Sequence, residues 1–415
     1  MARPLLASRG AFLLLLSHSW TERDLLRFFS RHCRTAGVRF LALREKAVDP
    51  LAAAVVAICG GLLAMVGFTP RPQIFGWLCF VGIFAILLRF REDRKTSLWP
   101  IPLLFCLWIN CHGSWSLGLA TFAIVLGAGL IKKDVGSLTC AAWQGAELRQ
   151  LSLSLGLSVA ALFVNPFGWR LVLYPFDLAF WQKLNIGMIS EWASVDFNDA
   201  RGIYVTVALA AVLALALVPR RSWRIDDALL VAFALFCGLK HIRLLVFTGI
   251  VLPPLIAPQI GRLSSYDPKH ERYVLNGVIV SAVLGMLVFA FPSNRALQAQ
   301  MDGFFPSNAI NYIRAHHLQG KLFNEYEWGG YLEWQAPELK VFVDSRADIF
   351  EHNGVLRDYV GMVNVYGSRE LLDHYRIETV LFSTDSPLAY FLSTSAQWEC
   401  VYKDKQAIVY RRVQR

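Results

Sequence analysis

The sequence predicts an α-helical polytopic membrane domain of about nine transmembrane helices, followed by a small α/β extracytoplasmic domain. Three observations carry that expectation. Apolar side chains make up 55 % of the 415 residues and charged ones only 17 %, with a mean hydropathy of +0.42, too apolar a balance for an ordinary soluble enzyme. Basic residues alternate in number from one short connection to the next, as the positive-inside rule requires of real spans. The charge balance then changes near Phe291-Pro292: residues 1–292 hold 28 Lys and Arg against 16 Asp and Glu, whereas 293–415 hold 13 against 15. Three regions follow: a cytoplasmic amino-terminal segment over 1–49, a transmembrane domain over 50–292 and an extracytoplasmic α/β domain over 293–415.

A helix needs about 20 apolar residues to cross the hydrocarbon core, because unpaired backbone groups there cost several kcal/mol each. The qualifying windows are 51–68, 73–90, 98–111, 114–131, 151–164, 202–218, 226–239, 244–257 and 273–291. The third, fifth, seventh and eighth are short, and Pro100-Ile-Pro102 falls in the third, which points to tilted, broken or re-entrant helices among them. The amino-terminal segment, 89–95, the Lys132-Lys133 loop, 220–224 and 262–272 carry 22 of the 28 basic residues and form the cytoplasmic set. The connections around Arg71, His112, 167–201 and 240–243 hold the other six. Nine crossings from a cytoplasmic amino terminus leave the tail extracytoplasmic. Lipid topology therefore accounts for the net charge of +10, and nucleic-acid binding is not expected. The apolar start around Leu13 is read as an uncleaved segment, because Ser17-His-Ser-Trp20 makes a poor cleavage site. Only Cys400 lies in the tail, which therefore has no internal disulfide, and no Cys/His spacing suits a structural metal.

Polar residues at the outer ends of spans are where function is expected, because ionisable groups in a membrane are costly and face cavities. Asn110 and His112 close the third span, Asn165-Pro166 the fifth, and Lys240 and Arg243 the hairpin between the seventh and eighth. Each either lines a site or does local work as a cap, a stop or a snorkelling cation. The mixed stretch 167–201 reads as lying in the interface plane. It ends at Glu191-Trp192, where a partly desolvated carboxylate would act as a general base, the alternative being a solvated loop acid.

In the tail, 306–314 reads as a helix, and 321–324, 341–344, 379–382, 399–402 and 407–410 read as strands, with helices at 356–363, 368–375 and 387–392. Helices packed on a small sheet are expected. Asn324 to Tyr331 follows the first strand and Asp344-Ser-Arg346-Ala-Asp348 the second, so both clusters would open on one edge of a parallel sheet, where ligands bind. Asp344, Arg346 and Asp348 either hold a polar ligand or pair internally. No phosphate loop, nucleophile elbow or dinucleotide fingerprint is present.

Thr69-Pro-Arg71-Pro72-Gln73, Trp108-Ile-Asn110-Cys-His112-Gly113, Asn165-Pro166-Phe-Gly168, Glu191-Trp192, Asn324-Glu-Tyr-Glu327-Trp328-Gly329-Gly330-Tyr331 and Val343-Asp344-Ser-Arg346-Ala-Asp348 carry a resemblance. Together, from about residue 38 onward, they resemble a bacterial family of polytopic inner-membrane proteins similar to C-type (GT-C) glycosyltransferases. The Glu327–Tyr331 run ahead of Val343-Asp344 is also similar to the Trp-Trp-Asp-Tyr-Gly region with which oligosaccharyltransferases hold an acceptor. The resemblance implies a polyprenyl-phosphate sugar donor, an outer-face active site and an acid in the first external loop. This sequence departs from the pattern there. Its loop 67–71 has no acid, and the acidic Asp-Pro-Asp loop expected before the Pro-Arg-Pro-Gln element is missing, as in an amino-terminally truncated or rearranged member.

The expected function is sugar transfer from a polyprenyl-phosphate donor at the outer face of the bacterial inner membrane. Glu191 and His112 would be catalytic, and Arg71, Lys240 and Arg243 would hold the lipid phosphate. Asn110, Asn324, Glu327, Trp328, Asp344, Arg346 and Asp348 would bind the acceptor or another ligand. The expected partners are membrane lipid and the polyprenyl-phosphate sugar, with no metal or cofactor. The alternative, which the missing acids favour, is a non-catalytic membrane protein that binds a glycolipid or a protein partner through its extracytoplasmic domain.

Overall fold

The computed structural model describes residues 49–65, 71–217, 223–260, 272–318 and 320–413. The amino-terminal segment apart from Asp49, most of loop 67–71, the Arg220-Arg221 pair and loop 262–271 lie outside the described residues. The fold is predominantly helical with a small mixed β-sheet, and the chain divides into two compact units. Among the described residues, one comprises those up to Pro175 together with 191–260, the other 176–190 together with those from 272 on.

The first unit contains α1 (Pro50–Ala64), α2 (Gln73–Asp93), α3 (Pro100–Cys111), α4 (Trp115–Ala128), α5 (Gly145–Ala161), the start of α6 (Trp169–Phe180), α8 (Ala200–Leu217), α9 (Ile225–Lys240) and α10 (Leu245–Ile260). The short helix α7 (Lys183–Met188) belongs to the second unit. Local chemistry sets several helix starts. Asp49 caps α1 by accepting the N–H groups of Leu51 at 2.9 Å and Ala52 at 3.1 Å, with Pro50 opening the helix. Pro100 likewise opens α3 and does not break it, because the first turn has no intrahelical use for its missing N–H. Gln144 and Glu147 form a capping box at the head of α5.

Each of the nine apolar windows contains a helix, but most of these are short. Among the described residues, two are long and apolar enough to cross a bilayer: Gln73–Asp93, of 21 residues, and Ile242–Ile260, of 19, which includes a 3-10 turn. A third is reached if Val274–Ala290 and Asn294–Phe304, bent by 53°, count as one span. The 12 residues of α3 give only about 18 Å at the helical rise, against a hydrocarbon core of about 30 Å.

Packing in this unit is close. α10 lies along α1, where a Cβ on Gly249 would stand 2.3 Å from the carbonyl oxygen of Gly60, so the backbones cross through the two glycines. Phe80 sits at the centre of the core, its ring 5.0 Å from Phe247, 5.6 Å from Phe84 and 6.1 Å from Trp108. On the outside, Ile58, Leu78, Leu107, Leu153 and Phe236 are exposed on helices whose other faces are also apolar. That distribution suits lipid rather than water. A two-stranded parallel pair, β1 (Leu138–Thr139) with β2 (Trp223–Arg224), ties two connections together.

The second unit contains α11 (Tyr273–Ala290), α12 (Asn294–Phe304), α13 (Ser307–Ala315), β3 (Leu322–Asn324), α14 (Gly329–Gln335), α15 (Ala347–His352), α16 (Val355–Val363), α17 (Ser368–His374), β4 (Thr379–Ser383), α18 (Pro387–Ser393), β5 (Trp398–Lys403) and β6 (Ala407–Arg412). The sheet order is β3-β4-β6-β5, parallel between β3 and β4 and antiparallel elsewhere. Strand alternation sends Phe323, Phe382 and Ile408 to one face, against Leu356, Met362 and Leu388, and Leu322, Leu381 and Val409 to the other, against Ile310, Ile313 and Leu332. The sheet is thus mixed, not parallel.

The expected strand at 341–344 does not form. Its backbone is held by a side chain instead: buried Asn324 donates to the carbonyl of Val343 at 2.9 Å and accepts from the N–H of Phe342 at 2.8 Å. Glycine at 329 permits this approach, since a Cβ there would lie 2.2 Å from the Val343 oxygen. Residues 176–190, read from the sequence as part of an interfacial stretch, pack on this unit. Glu351 accepts the N–H groups of Leu184 at 3.1 Å and Asn185 at 2.8 Å, and Asp177 meets His352 Nε2 at 3.0 Å.

Candidate functional site

At one end of the first unit, side chains far apart in sequence converge. Arg71 Nη1 donates to Glu191, lying 2.6 Å from Oε1 and 2.7 Å from Oε2. Arg243 Nη1 lies 3.7 Å from Glu191 Oε2, while its Nη2 donates to Gln73 Oε1 at 2.9 Å and its guanidinium lies 5.3 Å from the centre of the Trp192 ring. The cluster holds two positive charges and one negative, and its side chains are accessible: Arg71 is 46 % exposed, Glu191 29 % and Arg243 23 %. The surplus positive charge suits an anion.

The Glu191-Trp192 turn is placed by its neighbours. Ala193 to Val195 runs beside the end of α9, with Val195 N–H donating to the Leu239 carbonyl at 3.1 Å and Ile242 N–H to the Ala193 carbonyl at 3.0 Å. Ser194 Oγ donates to the Lys240 carbonyl at 3.2 Å. His241 Nδ1 donates to the Trp192 carbonyl at 2.6 Å, and its ring meets the indole edge-on at 5.3 Å. Lys240 shares this hairpin, but its ammonium lies over the Phe236 ring at 5.6 Å.

His112 follows α3 and is tied to Ser114. The Ser114 N–H donates to His112 Nδ1 at 3.1 Å, and Ser114 Oγ, 2.8 Å from the same nitrogen, accepts from Trp108 Nε1 at 3.1 Å. A backbone N–H only donates, so Nδ1 is the bare nitrogen and the proton of the neutral ring sits on Nε2. Burial, aided by the charge of Arg243, pushes the imidazole down to about 4. At neutral pH His112 therefore offers a hydrogen-bond donor, not a base. Asn110 is spent locally, its amide donating to the carbonyls of Cys106 and Val164, both at 2.8 Å, which ties α3 to the end of α5.

In the second unit the tail residues do not form one open cluster. Trp328 is buried and donates through Nε1 to the Phe304 carbonyl at 3.2 Å. Asp344, 2 % exposed, accepts from Arg346 Nε at 2.9 Å and from the Arg346 N–H at 2.8 Å, and Arg346 continues to Glu333 at 2.7 Å. Burial opposes the Asp344 charge, but the Arg346 hydrogen bonds outweigh it and hold the carboxyl below its ordinary range. Of the two alternatives for this pair, the internal bridge is the one present. Glu327 is exposed on a one-turn 3-10 segment, and Asp348 is half-buried in the first turn of α15.

Gln73, Ser114, Trp192 and His241 complete the first-unit cluster and were not among the expected site residues, although Gln73 and Trp192 stand in the quoted motifs. Chain adjacency to Arg71, His112, Glu191 and Lys240 was the available signal. Among the described residues no group of three or more His, Cys, Asp or Glu is arranged to hold a metal ion. No protein-family model matches the chain, and no curated protein matches it.

Proposed function

We propose that this is a polytopic protein of the bacterial inner membrane whose Arg71 and Arg243 hold the phosphate of a polyprenyl-phosphate-linked sugar at the outer face for glycosyltransferase-like transfer. In this reading residues 1–49 are cytoplasmic, 50–292 cross the membrane about nine times and 293–415 are extracytoplasmic. One observation carries it: two guanidiniums, brought together from positions 71 and 243, flank one carboxylate beside an indole with positive charge to spare.

The chemistry follows from that placement. With the phosphate held, Glu191 takes the proton of an acceptor hydroxyl, the acceptor oxygen attacks the anomeric carbon, and the bond from that carbon to the phosphate oxygen breaks. The lipid phosphate leaves as the anion, stabilised by the guanidiniums. His112 donates through Nε2 to an oxygen of donor or leaving group. The engagement of both Glu191 oxygens favours a second reading, in which the protein binds and presents the glycolipid without transferring its sugar.

Lipid extraction and mass spectrometry of the purified full-length protein test both readings. A polyprenyl-phosphate sugar is expected to co-purify with the wild type and to be lost with Arg71→Gln; its absence from the wild type sinks both. Sugar transfer abolished by Glu191→Gln while the lipid stays bound selects the enzyme, and unchanged transfer removes Glu191 from the mechanism.

A further inference from the structure

The Glu191 carboxylate sits against Arg71 Nη1, its two oxygens 2.6 and 2.7 Å away. A guanidinium receives carboxylate and phosphate through the same N–H···O bonds, so one anion can replace the other on Arg71. Nothing else in the turn depends on this contact. Trp192, Ala193, Ser194 and Val195 are fixed by backbone and side-chain bonds to Leu239, Lys240, His241 and Ile242. Arg243 is held separately by Gln73 at 2.9 Å and by the Trp192 ring. Releasing the carboxylate therefore leaves both the turn and Arg243 where they are. The Arg71–Glu191 pair is also partly exposed, Arg71 by 46 % and Glu191 by 29 %, and solvent-exposed ion pairs are weak.

We infer that Glu191 is the resident occupant of an anion cradle formed by Arg71 and Arg243, and that a lipid phosphate binds by exchange with it. This rests on the phosphate-binding reading above and adds how the site is guarded. While the cradle is empty of ligand, the carboxylate is tied to Arg71. Arrival of a phosphate frees it beside the bound headgroup, where an acceptor hydroxyl needs a base. A ligand without an anionic group has nothing to exchange and leaves the pair closed.

The test is equilibrium binding to the full-length protein in lipid nanodiscs, with undecaprenyl phosphate, undecaprenol and inorganic phosphate as three probes. Glu191→Gln is expected to bind undecaprenyl phosphate roughly three- to tenfold more tightly than the wild type, because the competitor has lost its charge. Glu191→Asp, which keeps the charge, is expected to stay within about twofold, and undecaprenol to show no difference between variants. The same tightening with inorganic phosphate alone supports the exchange and assigns the cradle to free phosphate, not to a lipid headgroup. Unchanged or weaker binding by Glu191→Gln, with the wild type binding and Arg71→Gln impaired, overturns the exchange alone. If Arg71→Gln binds undecaprenyl phosphate as well as the wild type does, the phosphate-binding reading falls and takes the exchange with it.

Discussion

Arg91 and Arg243 are both guanidiniums held against carboxylates in the same unit, yet their side chains are 0 % and 23 % exposed. Arg91 reaches from α2 to the first turn of α9, with Nε 2.8 Å from Asp226 and Nη2 2.6 Å from Asp227, and both acids are buried. Arg224 joins them, its Nε 3.1 Å from Asp226. Arg243 faces Glu191 across 3.7 Å, with Arg71 open beside it. Desolvation is what separates the two clusters. A buried charge that loses its partner has no water to turn to, whereas an exposed one does. The Arg91 cluster therefore fastens α2 to α9, whereas the partly exposed Arg71 cluster has less to lose from a change of partner.

The sharpest way to break this contrast is Arg91→Met. Removing Arg91 takes from the two buried acids the guanidinium that lies 2.8 and 2.6 Å from them and is expected to cost about 3–5 kcal/mol, read as a large fall in the thermal midpoint of the full-length protein in detergent. Arg91→Met combined with Asp227→Asn is expected to recover part of that loss, since Arg224 still neutralises Asp226. A small effect of the single substitution would mean that water reaches the cluster.

How far the sequence foretells these features depends on whether the signal is local. Hydrophobic windows locate the helices, and β-rich runs locate β3 to β6, because each element expresses its own periodicity. The run at 341–344 misleads for a physical reason: it has a strand's composition, but the buried amide of Asn324 supplies the partners that a neighbouring strand would have supplied. The Asn110 NH2 group and the Trp328 Nε1–H donate to the carbonyls of Val164 and Phe304, contacts with no trace in the sequence. Arg71, Glu191 and Arg243 come together, and Arg243 lies near enough to His112 to act on its imidazole. Their pairing was not legible, nor was the Arg91 cluster, since an arginine within a basic stretch reads as a topology signal until its partners are seen.

A smaller effect separates the clusters by pH. His112 stands at the open end, and burial together with Arg243 lowers its imidazole to about 4, below the ordinary value of 6.5. The unfolded chain then binds more protons than the folded one between those two values, so stability present at neutral pH is lost as pH falls from about 6.5 towards 4, by at most about 1.4 kcal/mol per unit. Thermal midpoints recorded across that window are expected to decline, and His112→Gln is expected to flatten the decline. An equally steep decline in that variant would assign the effect to other groups.

The smallest expected effect is the most informative about the open cluster. If Arg71 and Glu191 were a structural bridge, Glu191→Gln would destabilise the protein much as Arg91→Met does. Their exposure predicts otherwise: without ligand, the substitution is expected to change stability by no more than about 1 kcal/mol, because water and salt replace the lost partner on both sides. Raising the salt concentration is expected to erode even that difference, while leaving the Arg91→Met deficit in place, since buried pairs are poorly screened. Thermal midpoints of both variants at low and high salt read the two responses in one experiment. A Glu191→Gln deficit that is large and indifferent to salt would show the carboxylate to be a fastening like those on α9, and exchange with a phosphate would then require breaking the fold.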